Sequence, residues 1–355
     1  MTTPLDINPG DLLLRAATPE DLPAFERFAA ASAIGITTLP ADGRKLAERL
    51  ARSTQAFTTG DDSSGEEIYL FVLEHGGRVI GSSGIAASAG FADRYFSYRN
   101  EMVVHNSSTL QTSNRVHTLH LCHDLTGHTL LTSFYIEPEY EKTVAPQLLS
   151  RARLLFIAEF ADRFSDRIAA ESPGLADDSG RCPFWDAVGR RFFAMDYPQV
   201  EQITGGRSKA FIAELMPQSP IYVPLLPEAA QWAIGQLHPV GELPFSILMD
   251  EGFDTETYVD IFDGGPTVDA RVAMLKTVAQ SRRLAPGAAL AAGWHLAANT
   301  RRSDFRATLC RNLDAGTAQR LGSAAGEALR VAPLAMHAPN APVAPLAPRM
   351  HQAAP

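Results

Sequence analysis

The apolar residues between positions 131 and 171 change their spacing twice, and this change constrains the fold more than any other feature of the chain. Leu131 to Ile136 and Ile168 to Glu171 are short runs of strand length. The apolar residues that recur at helical spacing between them are Leu148, Leu149, Ala152, Leu155 and Phe156. Pro146 suits the first turn of this helix. A strand, a buried helix and a second strand predict an α/β fold around one central sheet.

Similar patterns predict further elements on both sides of this unit. Thr18 is typical of a helix N-cap, because Pro19 and Asp21 follow it, and the helix is expected to reach about Ala31. Gly76-Gly77 predicts the turn of a hairpin. The other predicted strands are Leu12 to Arg15, Ile68 to Leu73, Val79 to Gly81, Glu101 to His105, Val116 to Cys122, Phe211 to Leu215 and Tyr258 to Phe262. The other predicted helices are Asp42 to Gln55 and Phe184 to Phe193.

The character of the sequence changes in its C-terminal part. Residues 1–285 are expected to form the main α/β body, and residues 286–331 a small β module. From Ala332 to Pro355 the chain consists mostly of Ala, Pro and His, with few apolar residues that could form a core. We therefore expect this tail to be disordered.

Charge, cysteine usage and hydropathy exclude several classes of protein. A net charge of −9 over 355 residues argues against a nucleic-acid partner, because phosphate binding needs a basic face. Cys122, Cys182 and Cys310 are far apart and have no CxxC spacing, as expected of reduced thiols. The sequence contains neither a signal peptide pattern nor an apolar run of membrane-spanning length. These features predict a cytoplasmic protein with no membrane partner.

A cluster of histidines raises the question of a metal site. The five histidines are His105, His117, His120, His123 and His128. Imidazole is a common metal ligand. In a strand, however, His117 and His120 point to opposite faces, and no carboxylate or thiol completes a defined spacing. We therefore predict no metal site.

The loop before the helix at Pro146 is acidic. A helix N-terminus directly after a strand is a natural anion site, because its first N–H groups point outward. Residues 137–145 hold three glutamates and no glycine. Such a loop is expected to repel a pyrophosphate group.

Several longer motifs resemble one enzyme family. They are Thr37-Thr38-Leu39-Pro40, His123-Asp124-Leu125-Thr126-Gly127, Pro183-Phe184-Trp185, Lys209 to Pro217, Ile234 to Pro239 and Tyr258 to Thr267. Together they resemble the arginine N-succinyltransferases, in order and over about residues 12 to 310. The order of elements resembles the Gcn5-related N-acyltransferase fold. The resemblance implies a mixed sheet flanked by helices, followed here by the small C-terminal β module.

The resemblance implies an activity and residues that perform it. The family transfers succinyl from succinyl-CoA to the α-amino group of L-arginine, in arginine catabolism. His238 matches the proton-donor histidine of the family, and Phe134 matches a position whose backbone contacts succinyl-CoA. Guanidinium recognition favours carboxylates. The candidate acids are Glu101, Glu171, Asp260 and Asp263, and each could instead stabilise the fold or lie on the surface.

The acidic loop departs from the family pattern. Glu141, Val144 and Pro146 occupy positions where single-chain members carry an arginine and a Gly-x-Gly. This departure resembles the alpha chain of the two-chain arginine/ornithine succinyltransferases, whose homologous beta chain keeps the glycines. The resemblance thus implies a hetero-oligomer that acts on L-arginine or L-ornithine. A non-catalytic assembly or ligand-binding subunit and an acyltransferase for another amine remain open.

Overall fold

The computed structural model describes residues 5, 7–32, 39–60, 64–91, 93–204, 214–324 and 326–334. Within them, the strands are β1 (Leu12–Ala16), β2 (Ile68–His75), β3 (Arg78–Ala86), β4 (Ser97–Ser107), β5 (Thr112–Cys122), β6 (Thr129–Ile136), β7 (Arg167–Glu171), β8 (Ile221–Tyr222), β9 (Asp254–Val259), β10 (Pro266–Arg271), β11 (Arg282–Leu284), β12 (Trp294–Ala298), β13 (Arg306–Cys310) and β14 (Leu329–Leu334). The α-helices are α1 (Leu22–Ala31), α2 (Gly43–Thr58), α3 (Ala145–Glu159), α4 (Pro183–Ala187), α5 (Arg190–Phe193), α6 (Tyr197–Thr204), α7 (Glu228–Ala233), α8 (Glu242–Glu251), α9 (Lys276–Gln280) and α10 (Ala315–Arg320). Within the described ranges, no helix is long and apolar enough to cross a membrane.

The strands form one sheet in the order β11-β14-β12-β13-β1-β2-β3-β6-β7-β10-β9-β4-β5-β8. Neighbouring strands run antiparallel except for the parallel pair β6 and β7. A parallel pair needs a crossover connection, and α3 provides it. The α/β class predicted from the spacing of residues 131 to 171 is therefore confirmed.

Helices cover both faces of the sheet around β2. Leu70 and Val72 pack with residues of α1 and α2, including Phe28 and Leu46. Phe71 points to the opposite face, where its ring centroid lies 5.3 Å from that of Phe156 in α3. Alternate residues of one strand thus contribute to two separate hydrophobic cores.

Most predicted elements are present, and their boundaries move by a few residues. A capping box at Thr18 and Asp21 opens a short 3-10 turn before α1, which ends at Ala31 as expected. Gly76 and Gly77 form the hairpin turn with φ of 58° and 79°. The predicted strand Phe211 to Leu215 lies largely outside the described residues.

Two predicted elements are wrong in part. The single helix predicted from Phe184 to Phe193 is broken into α4 and α5, because the backbone turns at Val188 and Gly189 approaches the ring of Trp185. A Cβ at Gly189 would lie 2.1 Å from that ring. The strand predicted to reach Phe262 ends at Val259, since the next residues form a tight turn.

The C-terminal strands extend the central sheet. Leu14 of β1 pairs with Ala307 of β13, so β11 to β14 continue the sheet beyond β1. The predicted boundary at residue 285 therefore falls between strands of one sheet, and a separate module stays a prediction. Strand β14 continues to Leu334, three residues into the predicted tail. Residues 335–355 lie outside the described ranges.

Candidate active site

The parallel strands β6 and β7 are paired only where they begin. Thr129 pairs with Ile168, and Leu130 pairs with Ala169. Beyond these two pairs, β6 continues to Ile136 along β3 on its other side. A gap therefore opens between the C-terminal ends of β6 and β7. Ligands of α/β proteins bind preferentially at such openings.

A bulge lies in β6 beside this gap. Ser133 has φ of 54°, which a residue other than glycine seldom adopts. In the described ladder, β3 pairs with Thr132 and with Tyr135 but skips Ser133 and Phe134. The Ser82 hydroxyl donates a hydrogen bond of 3.0 Å to the carbonyl oxygen of Ser133, which fixes the bulge. Phe134 thus follows an irregular residue whose backbone is turned out of the ladder.

His238 lies on the other side of the gap. Its backbone N–H donates a hydrogen bond of 2.9 Å to the carbonyl oxygen of Pro173, two residues after β7 ends. Its Nδ1 accepts a bond of 3.3 Å from the N–H of Val240. In the neutral ring this bond leaves the proton on Nε2. The half-buried imidazole is therefore oriented with Nε2 as its donor atom.

Asp263 fixes the loop that holds His238. Its Oδ2 accepts hydrogen bonds from the N–H of Gly174 at 2.8 Å and from the hydroxyl of Tyr197 at 3.1 Å. Its Oδ1 accepts from the N–H of Gly265 at 2.8 Å. Gly174 directly follows Pro173, so this buried carboxylate joins the turn after β9 to the loop after β7. Asp263 is thus engaged by the backbone that positions His238.

The other predicted acids occupy three different environments. Buried Asp260 stabilises the turn after β9, because its Oδ1 accepts from the N–H groups of Phe262 and Asp263 at 2.7 and 3.3 Å. Glu171 ends β7 beside the gap. Burial and the Glu171 carboxylate raise the pKa of Tyr95 well above its usual value. Glu101 pairs with Arg99 on β4, four strands away from β6 in the sheet.

The Cys182 to Trp185 motif packs against the turn after β9, which contains Asp263 and Gly264. Phe184 and Trp185 are fully buried, and Gly264 lies so close to Phe184 that a Cβ would approach its ring to 2.9 Å. The Trp185 indole donates a hydrogen bond of 2.9 Å to the carbonyl oxygen of Met195. Burial raises the pKa of Cys182 to about 12, so this thiol is protonated and unreactive at neutral pH. The motif packs the site and supplies no nucleophile.

Known proteins resemble this chain along most of its length. A family model described as "Arginine N-succinyltransferase beta subunit" matches residues 12–277. The alpha subunit of arginine N-succinyltransferase from Pseudomonas aeruginosa is 46% identical over 303 residues, which cover 84% of this chain and 90% of the relative. The chain belongs to the arginine N-succinyltransferase family. The beta subunit from the same organism is 39% identical, over 91% of this chain and 98% of the relative.

A solved structure of a related protein has a similar fold. The structure of arginine/ornithine succinyltransferase subunit AI from Pseudomonas aeruginosa aligns with a TM-score of 0.83 at 41% identity. The alignment covers 92% of this chain and 100% of that one. The predicted family and the predicted mixed sheet flanked by helices are therefore confirmed.

At the start of α3, Val144 and Pro146 occupy the positions where the resemblance places the Gly-x-Gly of single-chain family members. The N–H of Ala145 donates to the hydroxyl of Thr143 at 3.1 Å. Those of Gln147 and Leu148 donate to the carbonyl oxygen of Val144 at 3.1 and 3.3 Å, and Pro146 has no N–H. The first turn of α3 thus already uses its own donors, so this helix N-terminus is a poor phosphate site.

The histidine cluster is distributed along the β4–β5 hairpin and the loop that follows it. His117 contacts the side-chain oxygen of Asn100, and His120 lies 3.4 Å from Glu101. The ring of His105 lies 6.1 Å from that of Tyr222. The described residues include no group of three His, Cys, Asp or Glu that could hold a metal ion.

Arg49 is a site residue that the sequence did not single out. It lies in α2, one turn after buried Leu46, and its Nη2 donates a bond of 3.1 Å to the hydroxyl of Ser133. In the sequence it reads as one more charge on an amphipathic helix. The available signal was its position beside the apolar stripe of α2, where a solvated arginine is unusual.

Proposed function

We propose that this chain is the alpha subunit of an arginine N-succinyltransferase, which transfers succinyl from succinyl-CoA to the α-amino group of L-arginine. It works in a hetero-oligomer with a homologous beta subunit. The gap between β6 and β7 carries this proposal, because Phe134 flanks it on one side and His238 on the other. A reducing, cytoplasmic compartment suits the three free cysteines.

The reaction needs an oxyanion donor and a proton donor, and the two sides of the gap offer one each. The α-amine attacks the thioester carbon, a C–N bond forms, and the carbonyl oxygen becomes an oxyanion. The backbone N–H of Phe134, outside the β3 ladder, stabilises that oxyanion. The C–S bond then breaks, the cationic form of His238 donates a proton to the thiolate, and the proton lost by the amine regenerates that form. The products are the succinylated amine and free CoA thiol.

The described residues suit the pantetheine arm of succinyl-CoA but not its pyrophosphate. An extended pantetheine arm fits between diverging strands, where backbone groups of β6 are free of β7. The start of α3 does not fit a pyrophosphate, because its amides are satisfied and the loop before it holds three glutamates and no glycine. We therefore propose that the beta subunit contributes to holding the nucleotide end of succinyl-CoA.

Recognition of the substrate guanidinium falls most naturally to Glu171. This half-buried carboxylate ends β7 beside the gap, whereas Glu101 lies four strands from β6. Asp260 and Asp263 accept hydrogen bonds from backbone amides, and Glu171 interacts with the side chain of Tyr95. A role of Glu101, Asp260 or Asp263 in binding L-arginine or L-ornithine stays a prediction.

The first test is succinyl-CoA-dependent modification of arginine by the purified chain, with and without the beta subunit. We expect activity in the complex, with L-ornithine tested as a second acceptor. Absence of succinylation by the complex, with both chains folded, would contradict the proposal.

The role of His238 is tested in the complex with two variants. His238→Ala removes both the proton donor and the acceptor of the Val240 N–H, and we expect kcat to fall by about 100-fold or more. His238→Asn keeps an oxygen that can accept that N–H but cannot act as a comparable acid. Equal losses in the two variants support acid catalysis.

A second function is favoured by the saturated N-terminus of α3. A chain that binds no donor could act as an assembly or ligand-binding subunit, with His238 serving only to cap the turn that follows it. Near-normal turnover in the complex containing His238→Asn, together with a loss in His238→Ala, would support this function over the catalytic one.

A further inference from the structure

Arg49 connects α2 to the bulge of β6. Its half-buried guanidinium donates to the hydroxyl of Ser133 at 3.1 Å, across 84 residues of sequence. Ser133 directly precedes Phe134, so this cation lies one residue from the proposed oxyanion donor. The position places a positive charge next to the bulge of β6.

Arg49 has no anionic partner among the described residues. Arg15 and Arg151, which are also withdrawn from solvent, pair with carboxylates. Buried Arg153 and Arg163 pair with none, but each donates to two or more carbonyl or hydroxyl oxygens, whereas Arg49 donates to the Ser133 hydroxyl alone among the described residues. Burial lowers the pKa of Arg49 to about 10, and the nearby charge of Arg52 adds to this effect. An uncompensated cation that has lost part of its hydration favours a bound anion.

The bulge brings two hydroxyl groups to the same cation. Successive residues of a regular strand point to opposite faces. The left-handed conformation of Ser133 instead leaves its hydroxyl 3.4 Å from that of Thr132. The Ser133 hydroxyl accepts from Arg49 and donates to the Thr132 hydroxyl, so it holds these two groups together on the face covered by α2. A carboxylate accepts hydrogen bonds, and the guanidinium of Arg49 and the hydroxyl of Thr132 are the donors that this arrangement offers it.

We propose that Arg49 and the hydroxyl of Thr132, which Ser133 holds together, bind a carboxylate of a substrate. This inference rests on the proposed function, in which both substrates carry a carboxylate near the reacting atoms. One is the free carboxylate of the succinyl group, and the other is the α-carboxylate of the amino acid. The site makes Arg49 a specificity-determining residue.

The test compares substrates with and without each carboxylate, using the complex with the beta subunit. Succinyl-CoA is compared with butyryl-CoA, which has the same chain length and no carboxylate. L-Arginine is compared with agmatine, which lacks the α-carboxylate. We expect Arg49→Gln to reduce one of the two kcat/KM ratios by about 50-fold or more, and Arg49→Lys to restore part of it.

Arg44→Gln is the matched control, because Arg44 is an exposed arginine of the same helix and its loss changes the net charge equally. Both ratios should stay at their wild-type values in this variant. A change in the donor ratio alone assigns the site to the succinyl carboxylate. A change in the acceptor ratio alone assigns it to the amino-acid carboxylate.

Two results would overturn the inference. One is an equal loss with all four substrates in Arg49→Gln, and the other is a variant that no longer folds, since both indicate a purely structural tie between α2 and β6. If the wild-type complex transfers no succinyl group, the proposed function fails separately. Calorimetric titration of L-arginine and agmatine into the wild-type and Arg49→Gln complexes then still tests the acceptor arm.

Discussion

At the scale of single residues, the candidate site depends on backbone conformations that few side chains favour. Ser133 adopts φ of 54° inside a strand, and this one residue breaks the β3 ladder at Phe134 and brings its hydroxyl to Arg49. Strained residues of this kind cost about 1–3 kcal/mol and are enriched at functional sites. The left-handed conformation of Ser133 therefore lowers the stability of the fold while it shapes the proposed site.

Substitution of Ser133 tests whether its left-handed conformation costs stability. Ser133→Gly relieves the left-handed strain but adds backbone entropy to the unfolded chain, so we expect the free energy of unfolding to change by less than about 1 kcal/mol. Ser133→Val places a β-branched side chain in the same conformation and should lower it by about 2 kcal/mol. Chemical denaturation of both variants measures the difference. Equal stabilities of the two would show that the bulge is not strained.

At the scale of elements, the proposal for the acyl donor depends on α3 and the turn at its start. The hydroxyl of Thr143 and the carbonyl oxygen of Val144 accept the first N–H groups of the helix, and Pro146 supplies none. Anion binding at a helix N-terminus requires free N–H groups. The altered loop thus supports the proposal that a beta subunit contributes to the acyl-donor site.

Titration of succinyl-CoA into the isolated chain tests whether the altered loop weakens binding of the acyl donor. We expect weak or undetectable heat of binding to the wild-type chain. The variant Glu141→Arg, Val144→Gly, Pro146→Gly places a basic residue and flexible glycines at the start of α3, and it should bind more tightly by about 10-fold or more. Tight binding to the wild-type chain would contradict the prediction and place the whole donor site on this subunit.

Local patterns predicted the elements well where their cause was local. The capping box at Thr18, the Gly76-Gly77 turn and the helix at Pro146 each depend on residues near in sequence. The errors came from side-chain contacts a few residues apart, which the spacing of apolar residues does not reveal. Asp260 ends β9 by accepting two backbone amides, and the approach of Gly189 to Trp185 breaks the helix predicted there.

The candidate site was predictable only through its resemblance to a family. His238 and Phe134 were named by their positions in motifs, and their roles stay predictions: Phe134 lies in β6, and His238 is hydrogen-bonded to the loop after β7. The bulge at Ser133 and the contact of Arg49 depend on residues 84 apart in the chain, for which spacing carries no signal. Packing, rather than local pattern, creates that part of the site.

At the scale of the whole molecule, one continuous sheet joins the C-terminal strands to the strands of the site. The hydroxyl of Thr308 donates to the carbonyl oxygen of Leu12 at 2.7 Å, and β13 pairs with β1. Phe305 is fully buried, with its ring 4.9 Å from that of Phe156 in α3. The C-terminal strands and the main body thus share a hydrophobic core.

A shared core predicts that the described chain unfolds as one unit. Phe305→Ala removes a buried ring that packs against Phe71 and Phe156, so we expect the free energy of unfolding to fall by about 3–5 kcal/mol. Because this core spans the predicted boundary at residue 285, the whole transition should shift while remaining single. Calorimetry and denaturation followed by two spectroscopic probes measure both properties. A chain ending at Leu334 keeps every described strand and is the matched control, expected to unfold as the full chain does. Two separate transitions, with only one of them shifted by Phe305→Ala, would instead favour an independent C-terminal module.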